Sequence, residues 1–332
     1  MTTPRTDRSQ GEFELIERLF APLAREFAGA FDLKDDVAAL PPKAHHELVL
    51  KTDSTIEGVH FLLGDSPLTV AQKALRRPLS DLAAKGAEPQ VYLLAIALPD
   101  SVENTWLESF VEGLAQDQKQ FGIALAGGET NWTPGALTVT VTMIGWVPEG
   151  RLVRRSGARE GDEVWVTGTI GDAAGGLALL KHEAATDGAE RDYLIARFHV
   201  PQPRLAFGLA LPEFASAAID VSDGLVADLG HVADVSGVKI EIDLSCVPLS
   251  AELSALWGRD EETMLRAVSG GDDYEIAFSA PTSAAKRVMA AAAGRRTPVT
   301  RIGRVVEGSP GVAVRGLRGR EIPMLYKGYT HF

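Results

Sequence analysis

Asp53, Asp81, Asp220 and Asp223, with the pairs Asp35-Asp36 and Asp272-Asp273 and with Glu129, are carboxylates set beside Gly, Ser or Thr rather than strewn along polar helix faces. They read Asp35-Asp36, Ser80-Asp81, Gly128-Glu129, Asp220-Val221-Ser222-Asp223-Gly224 and Gly270-Gly271-Asp272-Asp273, and most flank a β-branched run. That places them where loops meet strand ends. Hard oxygen ligands with few His or Cys suit Mg²⁺, which is commonly shared with a substrate's phosphates. The pattern predicts a multi-magnesium site for a phosphorylated substrate, built from several loops.

Asp220 and Ser222 lie two apart at a strand end and face one way. Asp223 can then cap the following helix, whose free N–H groups attract phosphate. Capping alone accounts for one acidic residue and leaves Asp220 beside Ser222 unexplained. Asp53 closes the run Glu47–Asp53, in which a period of two sets Val49, Lys51 and Asp53 on one side and Leu48, Leu50 and Thr52 on the other. His60 follows shortly after and could bind a phosphate or a ring, or be an ordinary satisfied side chain. Asp81 is flanked by Leu79, Leu82 and Ala83, where an unpaired carboxylate is costly. A metal, or a buried salt bridge to Arg76 or Arg77, would relieve it. Gly127-Gly128 lets backbone approach a ligand closely, or makes a simple turn. Gly168-Thr169-Ile170-Gly171-Asp172 lacks the ending of a phosphate-binding P-loop and does not fit the dinucleotide fingerprint, so it reads as a strand-to-helix turn. No serine or cysteine hydrolase pattern is present.

The elements that must carry these residues alternate. Helical spacing covers Glu12 to Phe27, Thr69 to Gly86 (with Pro78 expected to bend the helix or start a new one) and Val102 to Phe121. Strands are expected at Glu47–Asp53, Val91–Leu98, Ile123–Ala126, Leu137–Val147, Glu163–Thr167, Ala217–Val221 and Glu275–Phe278. Helices are expected to open at Gly171-Asp172, to follow Gly224, and to run from Thr282 to Ala293. This is an α/β (α+β) chain. Its 332 residues favour two domains, joined within the Gly-, Arg- and Pro-rich stretch 148–162. We expect a disordered tail over residues 1–10, an N-terminal domain over 11–150 and a C-terminal domain over 151–332. A net charge of -12 argues against nucleic acid or an anionic membrane as partner. No stretch reaches the roughly 18 apolar residues of a membrane span, so a cytoplasmic protein is the expectation. With one cysteine, Cys246, an intrachain disulfide is impossible.

Taken in order, Asp35-Asp36, Asp53 with Glu57-Gly58-Val59-His60-Phe61, Ser80-Asp81-Leu82-Ala83-Ala84, Gly127-Gly128-Glu129-Thr130, Arg155-Ser156-Gly157-Ala158, Ala218 to Leu225, Ser269 to Glu275 and Lys327-Gly328-Tyr329 with His331-Phe332 resemble the thiamine-monophosphate kinase family, from about Gly11 to the end. The resemblance implies the two-domain fold shared with aminoimidazole ribonucleotide synthetase, with a homodimer formed through the N-terminal sheets. It implies ATP-dependent phosphorylation of thiamine monophosphate to thiamine diphosphate, the last step of thiamine diphosphate biosynthesis, by direct in-line transfer among clustered Mg²⁺ ions. By the same resemblance Asp35 or Asp36, Thr52, Asp53, Asp81, Glu129, Asp220 and Asp223 match metal ligands, with Asp53, Asp81 and Asp220 central to catalysis. Gly128, Glu129, Arg155 and Ser222 match ATP contacts. His60, Asp272 or Asp273, and Tyr329 match the thiamine monophosphate side. Glu129 stands where the family usually has Asp, and Lys51 where Ser or Thr is usual. The rival readings are another ATP-using enzyme of the same superfamily, and a member that binds nucleotide and metal without turnover.

Overall fold

The structure is a computed structural model that describes residues 12–324 together with Gly328 and Tyr329. The tail expected at residues 1–10 lies outside the described residues, as do Gly11, Lys327, His331 and Phe332. The chain divides into two compact units. One is built from the chain up to Ala44, from Leu48–Pro78 and from Pro89–Trp146; the other from His45–Glu47, Leu79–Glu88 and the chain from Val147 onward.

The first unit begins with α1 (Glu12–Leu15), a π-helical segment Ile16–Phe20 and α2 (Ala21–Ala24), where the sequence predicts one helix. There follow β1 (His46–Ile56), α3 (Pro67–Ala84), whose part from Leu79 onward belongs to the second unit, β2 (Glu88–Leu98), α4 (Asn104–Phe121), β3 (Ala124–Trp132) and β4 (Thr138–Pro148). The four strands form a sheet in the order β1-β4-β2-β3. In β4, Val139, Val141 and Met143 are fully buried while Thr138, Thr140, Thr142 and Ile144 are only partly covered. That alternation marks a sheet with one face in the core and one face open. β1 alternates in the same way, and its open side carries Leu48, Leu50, Thr52 and Ser54, with Thr52 and Ser54 hydrogen-bonded to Thr142 and Thr140 at 2.9 Å.

Contrary to expectation, α3 runs unbroken through Pro78. Leu75, Leu79 and Leu82 are almost completely buried, so tertiary packing outweighs the backbone bond that proline removes. Arg76 on α3 makes a buried ion pair with Asp117 on α4, Nη2–Oδ1 2.7 Å and Nε–Oδ2 2.8 Å. Burial pushes the Asp117 carboxyl above its usual range, and Arg76 and Gln72 pull it back.

The second unit contains β5 (Asp162–Thr167), α5 (Asp172–Leu180), α6 (Gly188–His199), α7 (Leu205–Gly208), β6 (Ala217–Asp220), α8 (Leu225–Ser236), β7 (Lys239–Asp243), α9 (Ala251–Trp257), α10 (Glu261–Ser269), β8 (Ile276–Pro281), α11 (Ala285–Gly294), β9 (Val299–Val306), β10 (Gly311–Arg315) and β11 (Glu321–Ile322). Its seven strands lie in the order β11-β10-β7-β9-β5-β8-β6. Every residue of β5 is buried, with Val164 and Val166 in one apolar cluster and Trp165 in another that includes Phe207, Phe214 and Phe278. A strand covered on both faces favours apolar side chains on both, as in the short run Val164-Trp165-Val166 at its centre. The expected helix over 282–293 is instead a short 3₁₀ turn, Thr282–Ala284, leading into α11.

Candidate active site

In the first unit, one cavity of about 650 Å³ is lined by Asp35, Asp36, Gly128 and Glu129, together with Thr140 and Thr142 of β4 and apolar side chains such as Phe20 and Leu93. The fold thus gathers four of the sequence-predicted residues around one space. Gly127 and Gly128 do not form a turn: both lie inside β3. A Cβ on Gly128 would sit 1.8 Å from the Leu94 carbonyl oxygen, so the parallel pairing of β3 with β2, which shifts register between Tyr92 and Leu93, itself demands glycine there. Glu129 is exposed on the same strand.

Asp53 is partly buried on β1, and the Lys51 ammonium lies 3.2 Å from its Oδ1. The period-two reading placed these two residues on one side, and the ion pair shows that they are. Thr52, on the other side, is exposed and bonded to Thr142. His60 Nδ1 accepts a hydrogen bond from the Ile56 N–H at 3.0 Å, which fixes the ring at the end of β1 and leaves its proton on Nε2. Asp81 is partly buried near the end of α3, in the second unit. Arg76 pairs with Asp117, as above, and Arg77 Nη1 donates to the Ser54 carbonyl and to Thr55 Oγ1 at 2.8 and 3.0 Å.

The second unit gathers Asp220, Ser222, Asp223, Asp272 and Tyr329 at the end of β6, whereas Arg155 lies by the start of that strand, where the Arg154 carbonyl accepts the Ala218 N–H. Asp220 is buried as the last residue of that strand, and Ser222 and Asp223 follow, half-buried. The Gly270–Tyr274 segment runs alongside. The Asp272 N–H donates to the Ser222 carbonyl at 2.8 Å, and the Tyr274 N–H to that of Val221 at 2.8 Å. A Cβ on Gly271 would meet the Ser222 oxygen at 2.6 Å, so glycine is needed for this approach. Tyr329 closes the other side, its N–H donating to the Asp223 carbonyl at 2.9 Å while its ring remains exposed. Arg155 is exposed, in a loop held by Ser236, whose hydroxyl accepts from the Gly157 and Ala158 N–H groups at 3.1 and 3.3 Å.

The two members of the second Asp pair have different environments. Asp273 is buried, and its carboxyl accepts from the Gly171 and Ala173 N–H groups at 2.7 and 3.4 Å, at the start of α5. Asp272 is half-buried beside Ser222 and receives the Tyr274 hydroxyl at 3.1 Å. Gly168–Asp172 is the strand-to-helix turn that its sequence predicts.

Sequence reasoning missed Asp228 and His231. Asp228 is buried on α8, and its Oδ2 accepts three backbone N–H bonds, from Ser222, Asp223 and Gly224, at 3.0 to 3.1 Å. It shapes the turn that carries the candidate ligands. Burial first, then the nearby Asp220 and Asp223 carboxylates, push its carboxyl up to about 8. Asp223, Asp228 and His231 offer ligand atoms within 4.8 Å of one another. The available signal was the spacing of Asp228 and His231 at i, i+3 on one helix, which aligns them on a single face. Around the end of β6, Asp220, Asp223 and Asp272 offer the hard oxygen donors that suit a divalent cation such as Mg²⁺.

Residues 34–147 match the family described as AIR synthase related protein, N-terminal domain, and residues 159–315 match its C-terminal domain. The chain is 42% identical to the thiamine-monophosphate kinase of Caulobacter vibrioides, over 96% of this chain and 90% of that one. It is 40% identical to that of Escherichia coli K12, over 97% and 98%. Among solved structures, the thiamine-monophosphate kinase of Stenotrophomonas maltophilia K279a superposes with a TM-score of 0.80 at 41% identity, covering 86% of this chain and 90% of that one. AaThiL, solved in complex with AMPPCP and TMP, superposes with a TM-score of 0.77 at 34% identity, covering 97% of each. With both domains matched and this identity held over nearly the whole length, the chain belongs to the thiamine-monophosphate kinase family of the AIR synthase related proteins.

Proposed function

We propose that this protein transfers the γ-phosphoryl group of ATP to the phosphate of thiamine monophosphate, giving thiamine diphosphate and ADP. The observation that carries this reading is the 34% identity over 97% of both chains to a protein solved with AMPPCP and TMP together. It is supported by the 42% identity to a thiamine-monophosphate kinase. A phosphate acceptor is already ionised at neutral pH, so no strong general base is required. The chain's task is to bring two anions together and hold their oxygens in line.

Asp35 or Asp36, Thr52, Asp53, Asp81, Glu129, Asp220 and Asp223 are the proposed ligands for Mg²⁺. Bound magnesium neutralises phosphate charge and supplies electrostatic stabilisation to the transferring group. Asp53, Asp81 and Asp220 carry the central part of that set. Gly128, Glu129, Arg155 and Ser222 are assigned to ATP. On the acceptor side we assign His60, Tyr329 and, of the Asp272-Asp273 pair, Asp272: it is the accessible member, whereas the Asp273 carboxyl is committed to the start of α5. The proposed assembly is a homodimer through the open face of the four-stranded sheet, where Leu48, Leu50 and Leu93 are exposed. The proposed setting is the cytoplasm, where ATP is at hand.

A coupled assay of ADP release tests the reading. ADP should form from ATP only when thiamine monophosphate is added. Asp81→Asn, which removes charge without changing volume, should abolish turnover and leave the circular dichroism spectrum unchanged. Equal ADP release without thiamine monophosphate, or near-normal turnover in Asp81→Asn, contradicts it.

A further inference from the structure

Behind the Gly270–Tyr274 segment, the second unit buries a cluster of charges that the transfer chemistry does not use. Glu275 is fully buried, and both of its carboxylate oxygens are occupied. Oε1 accepts from Arg197 Nη2 at 2.9 Å and from Arg204 Nη2 at 2.5 Å. Oε2 accepts from Arg204 Nε at 2.6 Å and from the Thr167 hydroxyl at 2.7 Å. Thr167 Oγ1 in turn accepts the Ile276 N–H at 2.8 Å, which ties this cluster to the start of β8. Arg197 Nη2 also reaches the Asp273 carbonyl at 3.3 Å, and the Asp273 side chain is held by the start of α5.

Residues 273 and 275 are therefore pinned from beneath. The residues that alternate with them, Asp272 and Tyr274, adopt left-handed backbone with φ of 69° and 51°. Side chains bearing a Cβ hold that conformation only where the surroundings over-determine it. The same arrangement turns Asp272 toward Ser222, with the Tyr274 hydroxyl on its Oδ1. Buried ion pairs add little net stability compared with well-packed apolar side chains, so what this cluster contributes is geometry.

We propose that Arg197 and Arg204 are positioning residues for acceptor recognition: clamped on Glu275, they hold the Gly270–Tyr274 segment so that Asp272 is presented to thiamine monophosphate. This rests on the assignment of Asp272 to the acceptor side. Both guanidinium groups are engaged on Glu275. Their effect passes through the backbone of residues 272–275, and it falls on one substrate rather than on both.

The test is steady-state kinetics on the full chain, with ATP and thiamine monophosphate varied separately for Arg204→Gln, Arg204→Lys, Asp272→Asn and the double variant Arg204→Gln/Asp272→Asn. A partial loss of the clamp should raise the KM for thiamine monophosphate by roughly ten-fold, the equivalent of about 1.4 kcal/mol of acceptor binding. Arg204→Gln should show that rise with an unchanged KM for ATP. Arg204→Lys, which keeps the charge and loses the fork, should recover part of it. The double variant should be no worse than Asp272→Asn alone, because both act through one carboxylate. Additive effects in the double variant, or an equal rise in KM for both substrates, overturn the inference while leaving Asp272 in place. An unchanged KM for thiamine monophosphate in Asp272→Asn instead overturns the assignment on which it rests. If Arg204→Gln does not fold, Thr167→Val, which removes the hydrogen bond to Glu275 and the acceptor of the Ile276 N–H, takes its place in the same comparison, with the same outcomes deciding.

Discussion

Lys51 and Asp53 share one side of β1, and the 3.2 Å separation of Nζ and Oδ1 puts a fixed positive charge on a proposed metal ligand. An ammonium there offsets charge that a peripheral Mg²⁺ would otherwise neutralise. Lys51→Thr should make activity depend more steeply on Mg²⁺ concentration. A pair this accessible is worth at most about 1 kcal/mol, so the midpoint should move by no more than roughly five-fold. A Mg²⁺ titration and an ATP affinity that both match the wild type would show that the lysine is neutral. At this scale the sequence shows residue types and faces but not depth. Asp272 and Asp273 are adjacent and chemically identical, and only the left-handed backbone at Asp272 and the burial of Asp273 separate their roles. Asp228 does not stand out in the sequence because it sits in an ordinary amphipathic helix, five residues after Asp223. Its three N–H partners exist only once the turn is folded.

Among the elements, those with a strong period were legible. β1 and β4 alternate, and α4 carries buried Leu107, Phe110 and Leu114 at helical spacing. The departures come where a local rule meets packing. Pro78 ordinarily breaks a helix, yet the buried leucines around it keep α3 whole. Gly127-Gly128 suggests a turn, yet β3 uses the bare backbone for close pairing with β2. The glycines mark the turn from β5 into α5, but its buried partner Asp273, about a hundred residues away, leaves no local signal. Burial pushes the Asp273 carboxyl well above the 3.8 of a free aspartate, and the Asp172 charge adds to this, while the Gly171 and Ala173 N–H groups and Arg197 oppose it. The folded pKa exceeds the unfolded one. The stability this provides is therefore fully present below pH 3.8 and is lost as pH rises toward and through the folded value. Asp273→Asn mimics the neutral carboxyl and can still accept the Gly171 N–H. Thermal melts across pH should show the variant gaining on the wild type as pH rises, by roughly 2–4 °C for each kcal/mol relieved. A constant difference between the two at all pH values would show that Asp273 does not titrate in this way.

On the scale of the whole molecule, length and composition pointed to two domains, and the order of motifs pointed to the family. What they did not reveal is that the first unit is assembled from separated stretches of chain, because contact between distant segments leaves no local pattern. The open face of the four-stranded sheet exposes Leu48 and Leu50 to 47% and 61%, an arrangement suited to burial against a second copy. Sedimentation velocity at micromolar concentration should give a dimer, and Leu50→Glu should shift it toward monomer. A wild-type monomer would rule the proposed assembly out.

Transfer of the γ-phosphoryl group from one nucleotide to one acceptor is tested most directly by the fate of a labelled phosphate. With ATP labelled at the γ-phosphate and thiamine monophosphate in excess, the label should appear in the terminal phosphate of thiamine diphosphate, with one ADP formed per diphosphate. Label released as inorganic phosphate with no thiamine diphosphate formed, or AMP as the nucleotide product, would contradict it.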